Sequence, residues 1–279
     1  MRTPHQPIPP VNRIACLLLI LGCTAPAFAA NPGNENETVL NDTGRQISAY
    51  LEQISDVRCT EHVQQLKLGK KGGTDYKQEA TYDYLVLMDG SNDQFLLNES
   101  RLPQSQGHKV PQNVSMLVSN GFSDLFLIFH PYYRNSFEFD SGQEQIVDGK
   151  RMLVFQFRHI PGTRTPAAVA VRGREFPLEL SGQAWIDLDT GLVARINAEV
   201  NKDMQDVGLR SLKAEVIYSP VQLPGWTKAY RFPAIATVEV ETLRQHWRNI
   251  HRFTNYQRFT VDTEVSVSKS VQPKDDKQK

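Results

Sequence analysis

The chain has 279 residues, 31 basic and 31 acidic side chains, and a hydrophobic fraction of 40%. Balanced charge gives no general attraction for nucleic acid or an acidic polymer, and the apolar content suffices for one sizeable core.

Residues 1–29 read as a secretory signal peptide. Arg2 and Arg13 are its only charges, Ile14–Gly22 is an apolar run, and Ala27-Phe28-Ala29 supplies the small-x-small pattern before a cleavage point. The run is shorter than the roughly 20 residues of a spanning helix, and no later stretch reaches that length, so no transmembrane span is expected in the mature chain. Ile20-Leu21-Gly22-Cys23 also resembles a lipobox, in which Cys23 would be acylated and anchor the chain; cleavage after Ala29 is the preferred reading. Both readings predict a periplasmic or secreted protein. Cleavage after Ala29 leaves Cys59 as the only thiol, which excludes an intramolecular disulfide and reads as a small buried residue.

Residues 30–43 are polar and are expected to be a flexible leader, after which Thr43 caps a short helix with Ile47, Tyr50, Leu51 and Ile54 at helical spacing. The period then changes to two. Tyr82, Tyr84, Val86 and Met88 alternate with Asp83, Leu85 and Leu87, and a turn at residues 89–93 leads into a strand from Phe95 to Leu102. Val114–Phe129 is far more apolar and predicts a core helix or a lid. Strands follow at Arg151–Ile160, Gln183–Asp187 and Leu192–Val200, the last two joined by the tight turn Asp187–Gly191. Leu212–Tyr218 and Tyr230–Val240 alternate strongly, and 266–279 reads as a disordered charged tail. The expectation is an α+β, mainly antiparallel β domain over 44–265: a strongly curved sheet or incomplete β-barrel with a short N-terminal helix and a mid-chain helical insertion.

The stretch RQHWRNIHRF places His246 and His251 among arginines. Their odd spacing sends them to opposite faces of a strand, so they form no metal pair; Trp247, His251 and Phe253 share the face toward a core or cavity, and His246, Arg248 and Arg252 the solvated one. His130–Arg134 and Arg158–Arg164 each join a histidine to arginine and a turn that suits an anion. No nucleophile elbow, zinc spacing, phosphate loop or dinucleotide fingerprint occurs, so no cofactor, metal or catalytic residue is expected.

The segment SGQAWIDLDTGLVARINAEV, with Trp185, Ile186, Asp187, Thr190 and Gly191, resembles the periplasmic lipoprotein carriers of the LolA, LolB and RseB superfamily. The segments GFSDLFLIFHPYY, HIPGTRTPAAVAVRGREFPLEL and VETLRQHWRNIHRFTNY also resemble those of a group of uncharacterised secreted bacterial proteins. The carrier resemblance implies an incomplete β-barrel whose concave side holds acyl chains beneath a helical lid; the Arg-rich connection Ile160–Leu180 departs from it. The resulting expectation is a non-enzymatic envelope protein that binds a lipid, a lipoprotein acyl chain or another apolar ligand. Its lining residues would be Trp185, Trp247, His251, Phe253, Phe155, Phe157, Phe122 and Phe126. The alternatives are a structural or sensory module that binds another envelope protein, and a hydrolase using His130, His159 or His251.

Overall fold

Leu40, Thr43, Ile47, Tyr50, Leu51 and Ile54 recur at helical spacing and are all buried, so one stripe of helix α1 (Pro32–Ile54) is sealed against the rest of the chain. The structure, a computed structural model, describes residues 32–54, 57–89, 96–104, 119, 121–171 and 174–258. The signal peptide, the expected tail, residues 90–93 of the expected 89–93 turn, Phe95 and Val114–Val118 lie outside the described residues. The helix starts at Pro32 rather than Thr43, so much of the expected leader is helical. Val39 and Leu40 are the only bulky apolar residues of residues 32–43, too few for a periodic signal, while Pro32 suits a first helical turn.

The strands are β1 (Val57–Leu68), β2 (Thr74–Asp89), β3 (Leu96–Pro103), β4 (Phe137–Phe139), β5 (Gln143–Val147), β6 (Lys150–His159), β7 (Ala168–Val171), β8 (Arg174–Pro177), β9 (Leu180–Asp187), β10 (Leu192–Val200), β11 (Leu209–Val221), β12 (Tyr230–Thr242) and β13 (His246–Arg258). Eleven form one curved, antiparallel sheet that does not close into a barrel. Its order is β3-β2-β1-β13-β12-β11-β10-β9-β6-β4, with β5 also paired to β6. Strands β7 and β8 form a separate hairpin within the Arg-rich connection.

The two-residue period decides which face is covered. Ala184 and Ile186 of β9, Ile196 of β10, Leu212, Val216 and Tyr218 of β11, and Phe232, Val238 and Val240 of β12 are buried, whereas Arg195, Glu199, Lys213 and Glu239 point to the open face. Asp187 anchors the β9–β10 turn: its Oδ1 accepts from the Asp189 amide at 3.1 Å and its Oδ2 from Arg231 Nη2 at 2.6 Å.

Two layers lie on the covered face: α1 and a lid segment, Phe122–Phe129, followed by the short helix α2 (Pro131–Arg134). The lid is 3₁₀ rather than α-helical, with a break at Asp124 (φ −103°, ψ 19°), Gly121 at φ 76° before it and Pro131 after it. Residues Ser123 to Phe129 are all buried, so no polar face remains from which an amphipathic α-helix could be built. Helix and lid meet at Gly44, where a Cβ would lie 3.0 Å from the Phe129 carbonyl oxygen. Tyr50 joins all three layers, with ring centroids 5.3 Å from Phe126 and 5.1 Å from Phe232.

Gly182 marks the tightest point of the sheet, since a Cβ there would lie 1.8 Å from the Asn197 carbonyl oxygen on β10. Gly182→Ala is expected to lower unfolding stability by about 1–3 kcal/mol or more, the range of overpacked sites, read as a lower urea midpoint at unchanged slope.

Candidate functional site

The covered face carries a buried polar relay inside an apolar phase. On β1 that phase reads Val57, Cys59, Glu61, Val63, and on β13 it reads Trp247, Asn249, His251, Phe253; each of these side chains is buried. The β1/β13 register pairs Val63 with His251 and Glu61 with Phe253, which sets Glu61 and His251 on one diagonal. Glu61 Oε1 lies 2.7 Å from His251 Nδ1. Arg101, on β3, closes the other side: its Nε donates to Glu61 Oε2 at 2.6 Å and its Nη2 to Oε1 at 3.0 Å.

Glu61 has no exposed surface, and burial pushes its carboxyl pKa upward. The hydrogen bonds and charges of His251 and Arg101 outweigh that push and hold it below the ordinary carboxylate range. An ionised Glu61 only accepts, so Nδ1 of His251 carries a proton. In the neutral imidazole Nε2 is then an acceptor, and Ser119 Oγ, 2.8 Å away, donates to it. Asn249 Nδ2 donates in turn to Ser119 Oγ at 2.9 Å.

The same network holds the lid. Arg101 Nη1 lies 2.7 Å from Glu99 Oε2, and Glu99 Oε1 accepts from Tyr84 Oη at 3.0 Å and from Ser123 Oγ at 2.8 Å. Tyr218 Oη donates to the Ser123 carbonyl at 3.0 Å. Next to Ser123, Asp124 is 4% exposed, and its Oδ2 has no hydrogen-bond partner among the described residues. Burial, and then the charge of Glu99, push this carboxyl well above the ordinary range and favour the neutral acid.

Seven of the eight expected lining residues fall on or against the covered face. Trp247, Phe253, Phe126, Phe155 and Phe157 belong to its continuous buried cluster, Phe122 packs against that cluster half-buried, and His251 sits among them. Trp185 does not join them. It pairs directly with Arg195, whose guanidinium lies 4.8 Å from its ring centroid on the open face. The physical reason is parity: Ala184 and Ile186 take the inward phase of β9, which leaves Trp185 in phase with Gln183. His246 is also on the open face, with Nε2 2.7 Å from Glu239 Oε1. Of the other histidines named from the sequence, His130 caps α2, its Nδ1 accepting from the Tyr132 amide, and His159, at the end of β6, has Nε2 3.0 Å from the Arg164 carbonyl. The buried Cys59 thiol is pushed up to about 12, chiefly by burial, which disfavours a thiolate. Among the described residues no helix is long and apolar enough to cross a membrane.

The interior beneath the lid is filled. Two voids of about 20 Å³ flank Tyr50, one bounded by Cys59, Tyr84 and Asp124 and the other by Phe126 and Tyr218. A concavity of about 840 Å³ lies instead on the open face across β4, β6 and β9–β12. It is lined by eight charged side chains, of which Arg195 pairs with Glu215 at 2.5 Å and Lys213 with Glu199 at 3.9 Å, so it is a charged groove rather than an apolar site.

No protein-family model and no curated protein matches the sequence. Solved structures to which the chain is similar include a DUF1329 family protein from Desulfovibrio piger (12% identity, 84% of this chain and 96% of that chain, TM-score 0.43). They also include a putative outer membrane lipoprotein-sorting protein domain from Vibrio parahaemolyticus (9% identity, 82% of this chain and 95% of that chain, TM-score 0.40). At these values no residue role is carried over.

Sequence reading missed Glu61, Asn249, Arg101 and Ser119. The first two were visible in principle as polar residues in the inward phase of a strand. Arg101 and Ser119 carry no local signal, because pairing and chain path bring them in.

Glu61→Gln is expected to destabilise the protein near neutral pH by about 3–5 kcal/mol, because it leaves Arg101 without its carboxylate. A depressed folded-state carboxyl pKa contributes stability that is present above the unfolded value and is lost as pH falls through the folded value. The gap between wild type and variant in urea unfolding should therefore narrow between about pH 7 and about pH 3.

Proposed function

We propose that the protein is an exported envelope protein that binds an apolar ligand, a lipid or lipoprotein acyl chain, between the lid and the covered face of the sheet. The observation that carries this reading is a lid whose last five residues are apolar and buried, yet which is burdened by one buried acid. Leu125 to Phe129 are at most 5% exposed, and beside them Asp124 is enclosed with an oxygen that makes no hydrogen bond among the described residues. Such a segment packs well and still carries a desolvation cost that opening relieves.

The two small voids are far below the roughly 300–1,000 Å³ of ligand pockets, so a ligand takes the place of lid side chains rather than filling a ready cavity. An acyl chain would then lie against Tyr50 and Tyr218, as Phe126 does now. The break at Asp124 and the glycine before it give the lid points at which the chain can turn without unfolding the sheet.

Purified protein is expected to carry co-purifying lipid in native mass spectrometry and to bind a fluorescent fatty acid in competition with unlabelled lipid. Tyr218→Ala, on the sheet face the acyl chain would lie against, should weaken that binding about tenfold, the loss of one buried aromatic contact, while cooperative unfolding is retained. Absence of both bound lipid and fatty-acid binding by the wild-type protein would overturn the proposal.

Asp124→Asn supplies a second measurement. A carboxyl whose folded pKa is raised stabilises the closed state least once pH has passed that raised value. Wild type should lose stability as pH rises from the acid range, and Asp124→Asn should lose less of it, read from thermal midpoints across pH.

A further inference from the structure

Ser119, His251 and Glu61 form a connected line of three side chains, with Ser119 Oγ 2.8 Å from His251 Nε2 and His251 Nδ1 2.7 Å from Glu61 Oε1. We propose that this line is a serine nucleophile with its general base and orienting acid, and that it cleaves carboxylic esters of apolar acyl chains. The three residues come from distant parts of the sequence, and the hydrogen-bond directions derived above are those such a reaction requires. The proton sits on Nδ1 facing an ionised carboxylate, the free lone pair of Nε2 faces the hydroxyl, and the hydroxyl donates to it.

The chemistry balances with water as the only co-reactant. Ser119 Oγ attacks the ester carbonyl carbon while its proton passes to His251 Nε2, and the carbonyl π pair moves onto oxygen. Asn249 Nδ2, 2.9 Å from Ser119 Oγ, is close enough to donate to that oxyanion. Collapse breaks the bond to the alcohol oxygen, which leaves with the proton from Nε2, and the acyl group remains on Ser119. Water then gives a proton to Nε2 and attacks the acyl carbon; the acid departs and Ser119 recovers its proton.

Glu61 touches no substrate and acts as a positioning residue. It fixes the imidazole tautomer and faces the imidazolium formed in each step, while Arg101 keeps it ionised. Ser119 is 7% exposed, so the nucleophile is nearly enclosed. The lid starts at Phe122, and Ser123 binds it to the Glu99–Arg101–Glu61 chain, so lid opening and access to Ser119 are mechanically linked. The choice of an apolar acyl group rests on the binding reading above; the assignment of the nucleophile does not.

The test uses the mature wild-type protein and a fluorophosphonate probe with an alkyl tail, with the labelled residue mapped by peptide mass spectrometry. Label on Ser119, together with hydrolysis of p-nitrophenyl acyl esters that Ser119→Ala abolishes, is the expected result. Ser119→Ala removes one hydroxyl and should unfold as cooperatively as wild type. His251→Gln and Glu61→Gln should slow labelling by roughly 10²–10⁴-fold, and Glu61→Asp should recover part of the rate that Glu61→Gln removes, which a purely structural loss would not produce.

No label on Ser119 and no ester hydrolysis overturns the proposal. If fatty-acid binding persists in that case, the loss falls on the nucleophile alone; label on Ser119 without fatty-acid binding overturns the binding reading instead. Equal labelling rates in wild type and His251→Gln would also overturn the relay.

Discussion

A carboxylate with no exposed surface has to be compensated, and Glu61 is such a group in the middle of an apolar strand face. Its compensation comes from two directions, Arg101 on the edge strand β3 and His251 on the adjacent strand β13, so the requirement to satisfy one side chain ties β3, β1 and β13 together. Glu99, Tyr84 and Ser123 extend the tie to the lid. An apolar core of the same shape would hold these elements without specifying their register as tightly. The polar chain fixes which strand atoms must meet, at the cost of desolvating several charged groups.

The lid balances opposite tendencies. Its apolar side chains fill the space above the sheet, and the ring of Tyr50 links helix, lid and sheet; Asp124 works against closure because its neutral form is the one that burial tolerates. Ser123 and Asp124 are adjacent, one anchored and one strained by desolvation, so the same turn contains the latch and its counterforce. Both functional proposals draw on this arrangement. Binding uses the apolar side of the lid, and ester cleavage uses the polar residues that the lid covers.

Much of this architecture was legible in the sequence because period-two alternation reports burial directly. The strand Tyr230–Val240 appears in the structure with Phe232, Ala236, Val238 and Val240 inward, and His246 and His251 face opposite ways as their spacing requires; in Leu192–Val200 the alternation holds from Ile196 onward, whereas a bulge between Val193 and Arg195 turns Val193 inward in place of Leu192 and Ala194. The start of α1 was not legible, because residues 32–43 offer too few apolar positions to reveal a period. Trp185 shows a different limit: its size and place in a motif drew it toward the core, although the parity of Ala184 and Ile186 sends it outward. Glu61 was legible only as an exception to alternation. Its partners were not, since Arg101 and Ser119 reach it through strand pairing and the path of the lid, which no local pattern encodes.

The pairing of β1 with β13 brings together the earliest and latest strands of the sheet in chain order. Glu61 and His251 are separated by 190 positions, so their contact cannot form until nearly the whole domain has been synthesised. Before that, β1 lacks its central neighbour and Glu61 remains hydrated, which is where an ionised carboxylate is most stable. High sequence separation delays such contacts because loop-closure entropy has to be met first. A chain built this way stays open along its central seam until its last strand arrives, and the polar relay and the finished sheet come into existence in the same event.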